Sequence, residues 1–160
     1  MIDIASLEIA TPTTAPPGSL LIECAKSPRF PVLLAVGGGG ARNTLIIGDG
    51  KLGFEVVDMS RAHGLFLRVG PARFMVDPAS AVSGFDHSPD PGTLFRTPAG
   101  TGMLARVDGA EHGVLLDGTL TQVDYALFAG FRRWRIELDG SGEEPHVLYA
   151  HGGRDPGQEV

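Results

Sequence analysis

The chain has 160 residues, of which 42% are hydrophobic and 20% are charged, and its formal net charge is −6. This length fits one domain, and the apolar content is enough for a hydrophobic core, which excludes wholesale disorder. The excess of acidic side chains disfavours duplex nucleic acid as a partner, because phosphate neutralisation dominates that kind of binding.

The composition predicts short elements joined by tight turns. The 23 glycines and 12 prolines argue against a helical bundle, because both residue types interrupt helices. No apolar run approaches the roughly 20 residues that cross a bilayer. The N-terminal segment carries no basic residue ahead of its apolar part, so no signal peptide is expected. We therefore predict a cytoplasmic protein, or a component of a particle assembled inside the cell, with no membrane partner.

Short runs with period-two alternation, each ended by glycine, proline or aspartate, recur through the first half of the chain. Residues 10–18 are rich in proline and predict a stiff, extended connector. Asp49 and Gly50 predict a two-residue hairpin turn of type I′, in which both residues have positive φ. Strands are predicted at residues 2–9, 20–25, 30–36, 44–47, 54–58, 65–69 and 73–76.

The second half begins with the one predicted helix. Asp77 as the N-cap and Pro78 at the first helical position favour a short helix near residues 78–83. Residues 83–102 form a predicted long loop, and such loops tend to be functional. Residues 151–160 are a predicted polar tail. Further strands are expected at residues 103–107, 114–116, 120–127 and 146–150.

Residues 123–138 fit two patterns. Apolar residues recur there at helical spacing, whereas Trp134, Ile136 and Leu138 alternate with charged residues, as in a strand with one buried face. We divide the segment at Gly130 into two strands. About a dozen short strands and at most one short helix then predict an all-β chain, a single-domain β-sandwich or β-barrel over residues 1–150.

The densest group of titratable residues is Asp86, His87 and Asp90 in the predicted long loop, with Glu111 and His112 at a separate turn. A carboxylate beside an imidazole orients the ring and raises its basicity, which general-base catalysis uses. Turn-capping carboxylates and solvated histidines explain the same pattern, and nothing in the sequence brings the two turns together. These five residues are catalytic candidates only.

No pattern for a metal or a cofactor is found, and none is predicted. The glycines at residues 37–40 follow a strand, but they lack the third glycine of the dinucleotide-binding motif. No two histidines have the local spacing of a zinc site. His146 and His151 are five residues apart, which on a regular strand puts them on opposite faces.

Arg133 and Arg135 flank Trp134 and share one face of its predicted strand. Trp134 then faces the core, and the two arginines can hold a carboxylate or a phosphate. Ion pairs with acidic neighbours are the competing role for both arginines.

Two functions fit the sequence. The first is a non-catalytic β module that binds a ligand or assembles into a homo-oligomer, with residues 11–18 as an arm that reaches a neighbouring chain. The second is a small β-barrel enzyme that acts on a small polar or sugar-like substrate with a His/Asp acid–base pair, while Arg133 or Arg135 holds an anionic group. The enzyme hypothesis requires His87 and His112 to converge over a pocket.

Overall fold

The computed structural model describes residues 7–37, 43–85, 89–139 and 144–152. Regular structure in these ranges is almost entirely β, which confirms the predicted class. Two single-turn 3₁₀ helices lie at Pro78–Ser80 and Tyr125–Leu127. No helix in the described ranges is long and apolar enough to cross a membrane. The strands are β1 Glu8–Ala10, β2 Leu20–Glu23, β3 Val32–Val36, β4 Asn43–Ile47, β5 Glu55–Asp58, β6 Phe66–Arg68, β7 Ala72–Val76, β8 Ala81–Ser83, β9 Leu94–Thr97, β10 Gly100–Val107, β11 Ala110–Leu115, β12 Leu120–Thr121, β13 Ala129–Phe131, β14 Trp134–Leu138 and β15 His146–His151.

The described strands form a sheet of twelve and a sheet of three. The larger sheet has the order β1-β6-β2-β3-β4-β5-β10-β9-β13-β8, with β11 beside β10 and β12 beside β11. Among the described strands, the two ends of this sheet do not pair with each other, so the sheet is not closed into a barrel. The smaller sheet has the order β15-β14-β7. The described ladders are antiparallel, except that β5 and β10 are parallel.

The two sheets meet at a corner, where two antiparallel chain segments pass from one sheet to the other. β14 pairs with β7 in the small sheet, and β13 pairs with β8 in the large sheet. Between the two ladders, the Arg133 guanidinium lies 2.7 Å from Asp77, and the Arg133 N–H donates to Ser80 Oγ. These contacts connect the two chain segments at the corner.

The predicted helix cap is present at this corner. An oxygen of Asp77 accepts a hydrogen bond from the Ala79 N–H at 2.8 Å, and Pro78 follows the cap, as expected. The helix is one 3₁₀ turn and ends at Ser80. Residues 81–83, which were predicted to continue it, form β8.

The core lies between the two sheets. Its centre joins side chains of β3 and β4 to Trp134 and Ile136 of β14. All five residues of β3 are buried, as its uninterrupted apolar run indicates, because the large sheet is covered on both faces. The second face is covered by another buried cluster, made of Leu21, Leu33, Ile46, Met59 and Phe66.

The prediction of an extended connector at residues 10–18 is wrong. The N–H groups of Thr14 and Ala15 both donate to the Thr11 carbonyl, and the Gly18 N–H donates to the Ala35 carbonyl at 2.8 Å. Threonine hydroxyls compete for local hydrogen bonds and so favour turns over extended chain. The segment forms turns, and its last residue is hydrogen-bonded to β3 of the same chain.

The prediction of a long loop at residues 83–102 is also wrong. β9 occupies Leu94–Thr97 within it, and β10 begins at Gly100. β9 pairs with β10 on one side and with β13 on the other. A four-residue strand between prolines is too short to show alternation, so its two partners, rather than its own pattern, make it a strand.

Two Asp-Gly turns differ in conformation. Asp108 and Gly109 have φ values of +51° and +79° and connect β10 to β11. Asp49 and Gly50 do not have positive φ, so the prediction of a type I′ turn there is wrong. The left-handed residue of that loop is Phe54, with φ +57°.

Two strand boundaries near the end of the chain are wrong as well. The strand predicted at residues 120–127 covers only Leu120–Thr121 and is followed by a 3₁₀ turn. Gly130, the predicted division between two strands, is the middle residue of β13. Trp134–Leu138 is a strand, and its apolar residues face the core as predicted.

A β-bulge between Ile136 and Glu137 shifts the register of β14 against β15. His146 lies opposite Leu138 and His151 lies opposite Trp134, which are residues of one face. The prediction that the two histidines lie on opposite faces is therefore wrong, because the bulge inserts one extra residue. His151 also belongs to β15 rather than to the predicted tail, of which residues 153–160 lie outside the described ranges.

Candidate ligand-binding clefts

The structure does not bring the predicted catalytic candidates together. Asp86 and His87 lie outside the described residues, as do three of the glycines at 37–40. Glu111 and His112 are neighbours in β11, so they face opposite sides of the sheet. Asp90 lies at a separate cleft, which is described below.

Glu111 and His112 each have a partner of their own. Glu111 accepts a hydrogen bond from the Tyr125 hydroxyl. Burial, together with that carboxylate, raises the pKa of Tyr125 above the value of a free phenol, so its hydroxyl stays a donor. His112 Nδ1 lies 3.3 Å from the Ala110 carbonyl oxygen. These contacts are typical of structural roles.

The two arginines predicted to bind an anion are paired within the chain. Arg133 contacts Asp77 at the corner between the sheets. Arg135 Nε lies 2.6 Å from Glu137 Oε1, and Glu137 is only 4% exposed. The competing role, in ion pairs, accounts for both arginines, and Trp134 between them is buried as predicted.

The larger cleft, about 660 Å³ in volume, lies between one end of the large sheet and β7 of the small sheet. We call it the sheet-interface cleft. Its floor is apolar, and the turns at residues 16–19 form one side of it. The floor residues are Leu20, Leu34, Val69 and Phe74.

The rim of the sheet-interface cleft is charged. Arg68 Nη1 lies 3.4 Å from Glu8 Oε2, and both side chains are exposed. Such a pair contributes only about 0–1 kcal/mol, so a ligand can replace either partner at little cost. Asp117 lies on the same rim. Hydrogen bonds from Thr119 hold the pKa of Asp117 below its ordinary value, so this carboxylate is ionised at neutral pH.

The second cleft, about 350 Å³ in volume, opens beside the loop between β4 and β5, and we call it the polar cleft. Asp49, Asp90, Arg106 and His151 all line it. His151 Nδ1 lies 3.2 Å from Asp49 Oδ1. An ionised carboxylate can only accept, so in the neutral imidazole this contact places the hydrogen on Nδ1 and the lone pair on Nε2.

Aromatic rings hold the His151 imidazole in place. The Phe54 ring meets it edge-on with centroids 4.9 Å apart, and the Trp134 ring lies 5.4 Å away. Trp134 is itself fixed, because its Nε1–H donates to the Gly92 carbonyl at 2.8 Å. The imidazole therefore has little freedom to rotate away from Asp49.

Tyr149 completes this group of side chains. Its hydroxyl lies 3.5 Å from His151 Nδ1. Burial, with the charge and hydrogen bond of Asp49, raises the pKa of Tyr149 above that of a free phenol, so its hydroxyl stays protonated. Asp49 thus faces two donors, a phenol and an imidazole.

Arg106 is anchored on the same cleft. Its Nε donates to Glu55 Oε1 at 3.1 Å, and its Nη2 donates to the Gly53 carbonyl at 3.2 Å. Within the described residues Nη1 has no hydrogen-bond partner, and it is the guanidinium nitrogen left for a ligand.

Sequence reasoning missed the Asp49–His151 pair because its members are 102 positions apart. The sequence predicts Asp49 as a turn residue and His151 as part of the polar tail. The alternation of Leu148, Tyr149, Ala150 and His151 was the available signal that the strand continues.

Comparison of the chain with models of protein families, with curated proteins and with solved structures gave no match. The functional argument therefore rests on the two clefts.

Proposed function

We propose that the protein is a β module whose sheet-interface cleft binds a small molecule without catalysing a reaction on it. One observation carries this proposal: an open cleft of about 660 Å³ with an apolar floor between the two sheets. Small-molecule sites usually have about 300–1,000 Å³ and are lined mainly by apolar side chains with a few polar groups.

The lining indicates the chemistry of the ligand. Leu20, Val69 and Phe74 favour an apolar body. At the rim, Arg68 can donate to an anionic group, whereas Glu8 and Asp117 can accept from hydroxyls. The ligand class is therefore a small molecule with an apolar body and one anionic or hydroxyl-bearing end.

Filling the cleft tests the proposal. Ala72 lines the cleft from β7, so A72F places a ring inside it. The matched control is A81F, at an exposed alanine of β8. We expect the wild type to bind the neutral apolar dye N-phenyl-1-naphthylamine saturably in a fluorescence titration. We expect A72F to weaken binding by at least about tenfold, or 1.4 kcal/mol, and A81F to leave it unchanged.

Equal dye affinity of A72F and the wild type would contradict the proposal, as would a folded wild type that binds no dye. If A72F fails to fold, S19F fills the cleft from the opposite side, since Ser19 also lines it. Repeating the titration with an anionic naphthalene sulfonate, in the wild type and in R68Q, measures how much Arg68 contributes to the affinity for an anion.

Self-association stays a prediction of its own. It rests on the ends of the large sheet, where β1 is an edge strand whose Ile9 is 72% exposed. We expect light scattering over a dilution series to show a discrete multimer, and I9K, which charges the edge, to dissociate it. A monomer at every concentration would contradict this prediction but would not bear on the ligand-binding proposal.

A further inference from the structure

We propose that the polar cleft is a second site, separate from the sheet-interface cleft, which hydrolyses small uncharged carboxylic esters. His151 is the general base, Asp49 is its positioning residue, and Arg106, which lines the same cleft, stabilises the charge that develops on the substrate. The argument uses side chains that the sheet-interface cleft does not contain, so the two proposals stand or fall separately.

The imidazole has the geometry of a base held in one tautomer. Asp49 Oδ1, 3.2 Å from Nδ1, fixes the hydrogen on that nitrogen and leaves Nε2 free to take a proton. Among the described residues nothing bonds to Nε2. The side chain of His151 is 21% exposed and that of Asp49 is 70% exposed, so water reaches the pair, while the surrounding rings limit the motion of the imidazole.

Phe54 shows that this region holds a strained conformation. A φ of +57° is uncommon for a bulky side chain, so the backbone is strained at Phe54. Two backbone hydrogen bonds of 2.8 Å maintain it: the Phe54 N–H donates to Ile46, and the Phe54 carbonyl accepts from the Arg106 N–H. The strained residue thus ties the ring beside His151 to the strand that carries Arg106.

The charges of the polar cleft select the substrate. Asp49 and Asp90 both line it and repel anions, whereas Arg106 offers one free nitrogen, Nη1. This balance favours a neutral molecule that becomes negative only during reaction, as an ester carbonyl does. The volume of about 350 Å³ suits a short acyl ester.

The step needs only water and the ester. His151 Nε2 takes a proton from water as the water oxygen bonds to the carbonyl carbon, and the carbonyl π electrons move to oxygen, whose charge Arg106 stabilises. When those electrons return, the bond between the carbonyl carbon and the alcohol oxygen breaks. The departing oxygen takes the proton from His151. The products are a carboxylic acid and an alcohol, and the imidazole is neutral again.

Hydrolysis of p-nitrophenyl acetate by the full chain tests the proposal. We expect H151Q to lower kcat/KM by roughly 100-fold, the scale of general-base catalysis. H112Q is the matched control, because His112 is a partly exposed imidazole outside the cleft. It corrects for the slow hydrolysis of activated esters by any imidazole. Equal rates for H151Q and the wild type would overturn the proposal, and so would equal losses in H151Q and H112Q.

The positioning role of Asp49 can be measured through the tautomer of His151, which a purely structural role of Asp49 would not change. In ¹⁵N NMR of the imidazoles, neutral His151 of the wild type should carry its hydrogen on Nδ1, and D49N should shift it towards Nε2. D49N should also lose roughly tenfold in kcat/KM. A wild-type His151 with its hydrogen on Nε2 would overturn the proposal even if H151Q did not fold. A81F should keep the esterase rate, because Ala81 is exposed and lines neither cleft.

Discussion

The sheet-interface cleft and the polar cleft are built from different kinds of contact. The first has an apolar floor whose residues belong to the hydrophobic core, and its charged groups lie only at the rim. The second is formed by titratable side chains from four places in the chain. They are the β4–β5 loop, the segment that precedes β9, strand β10, and the end of β15. Apolar packing forms the floor of the first cleft, whereas hydrogen bonds between charged side chains hold the second together.

This difference in construction determines how each cleft responds to amino-acid substitution. Hydrophobic packing is non-directional, so the first cleft tolerates conservative exchange of its floor residues. A hydrogen bond such as that between Asp49 and His151 depends on one distance and one tautomer. The second cleft should therefore lose its function through changes that leave the fold intact.

Trp134 lies between the two clefts and links them. Its ring centroid is 6.1 Å from that of Phe74, which lines the sheet-interface cleft. On the other side it is 6.3 Å from Phe54 and 5.4 Å from His151, which line the polar cleft. Changes at this residue should affect both clefts together.

The largest expected effect is that of W134A. We expect it to lower the free energy of unfolding by about 3–5 kcal/mol, because a ring that is 3% exposed leaves a cavity. W134F should cost less, about 1–3 kcal/mol, because it leaves the buried Gly92 carbonyl without its donor. Urea denaturation followed by circular dichroism measures both values.

F85A is the control for this comparison, because Phe85 is 78% exposed. Its free energy of unfolding should stay within about 0.5 kcal/mol of the wild type. If W134A were as mild as F85A, Trp134 would not be the residue that supports the two clefts.

Replacing a glycine by alanine should have a smaller effect on stability than W134A, and this effect should differ between the two clefts. Gly18 in the sheet-interface cleft has φ +83°, and an added Cβ would lie 3.0 Å from backbone atoms of Leu116 and Asp117. G18A should therefore destabilise the fold by about 1–2 kcal/mol. Gly50 in the polar cleft has open space around it, so G50A should be neutral or stabilise by up to about 1 kcal/mol. Thermal unfolding of both variants measures the difference, and equal losses would mean that the two clefts are packed alike.

The smallest expected effect is on the stability of the fold at acidic pH. Since the Thr119 hydrogen bonds lower the pKa of folded Asp117, the charged carboxylate stabilises the fold. That contribution is fully present above the ordinary aspartate pKa of 3.8 and is lost as pH falls through the lowered value. We expect the Tm difference between the wild type and D117N to shrink below about pH 4. D90N, which removes one negative charge from the polar cleft, is the control, and an identical pH response of D117N and D90N would contradict the prediction.

The sequence predicted those strands whose own pattern is clear. Trp134–Leu138 alternates and is buried on one face, and Val32–Val36 is wholly apolar and buried on both. It failed at Leu94–Thr97, where two neighbouring strands supply the hydrogen bonds. It also failed at residues 11–18, where local threonine hydrogen bonds replaced the extended chain that the prolines suggested.

The candidate site was harder to predict than the fold. The sequence suggested a carboxylate beside an imidazole, but it drew the pair from neighbours in the chain, such as Glu111 and His112. Consecutive residues of a strand face opposite sides, so such neighbours cannot form the pair. Asp49 and His151 meet instead because β15 pairs with β14, and the bulge sets His151 opposite Trp134.

By itself, the sequence determined the all-β class, most of the strands and the burial of Trp134, because alternation and turn residues act over a few positions of the chain. The tertiary structure alone decided where the two sheets leave an apolar cleft and which charged side chains meet. Those outcomes depend on strand pairing between distant segments and on one bulge, which no local pattern encodes. A one-residue change in register turns a side chain from one face to the other, so the position of His151 was settled only when the strands paired.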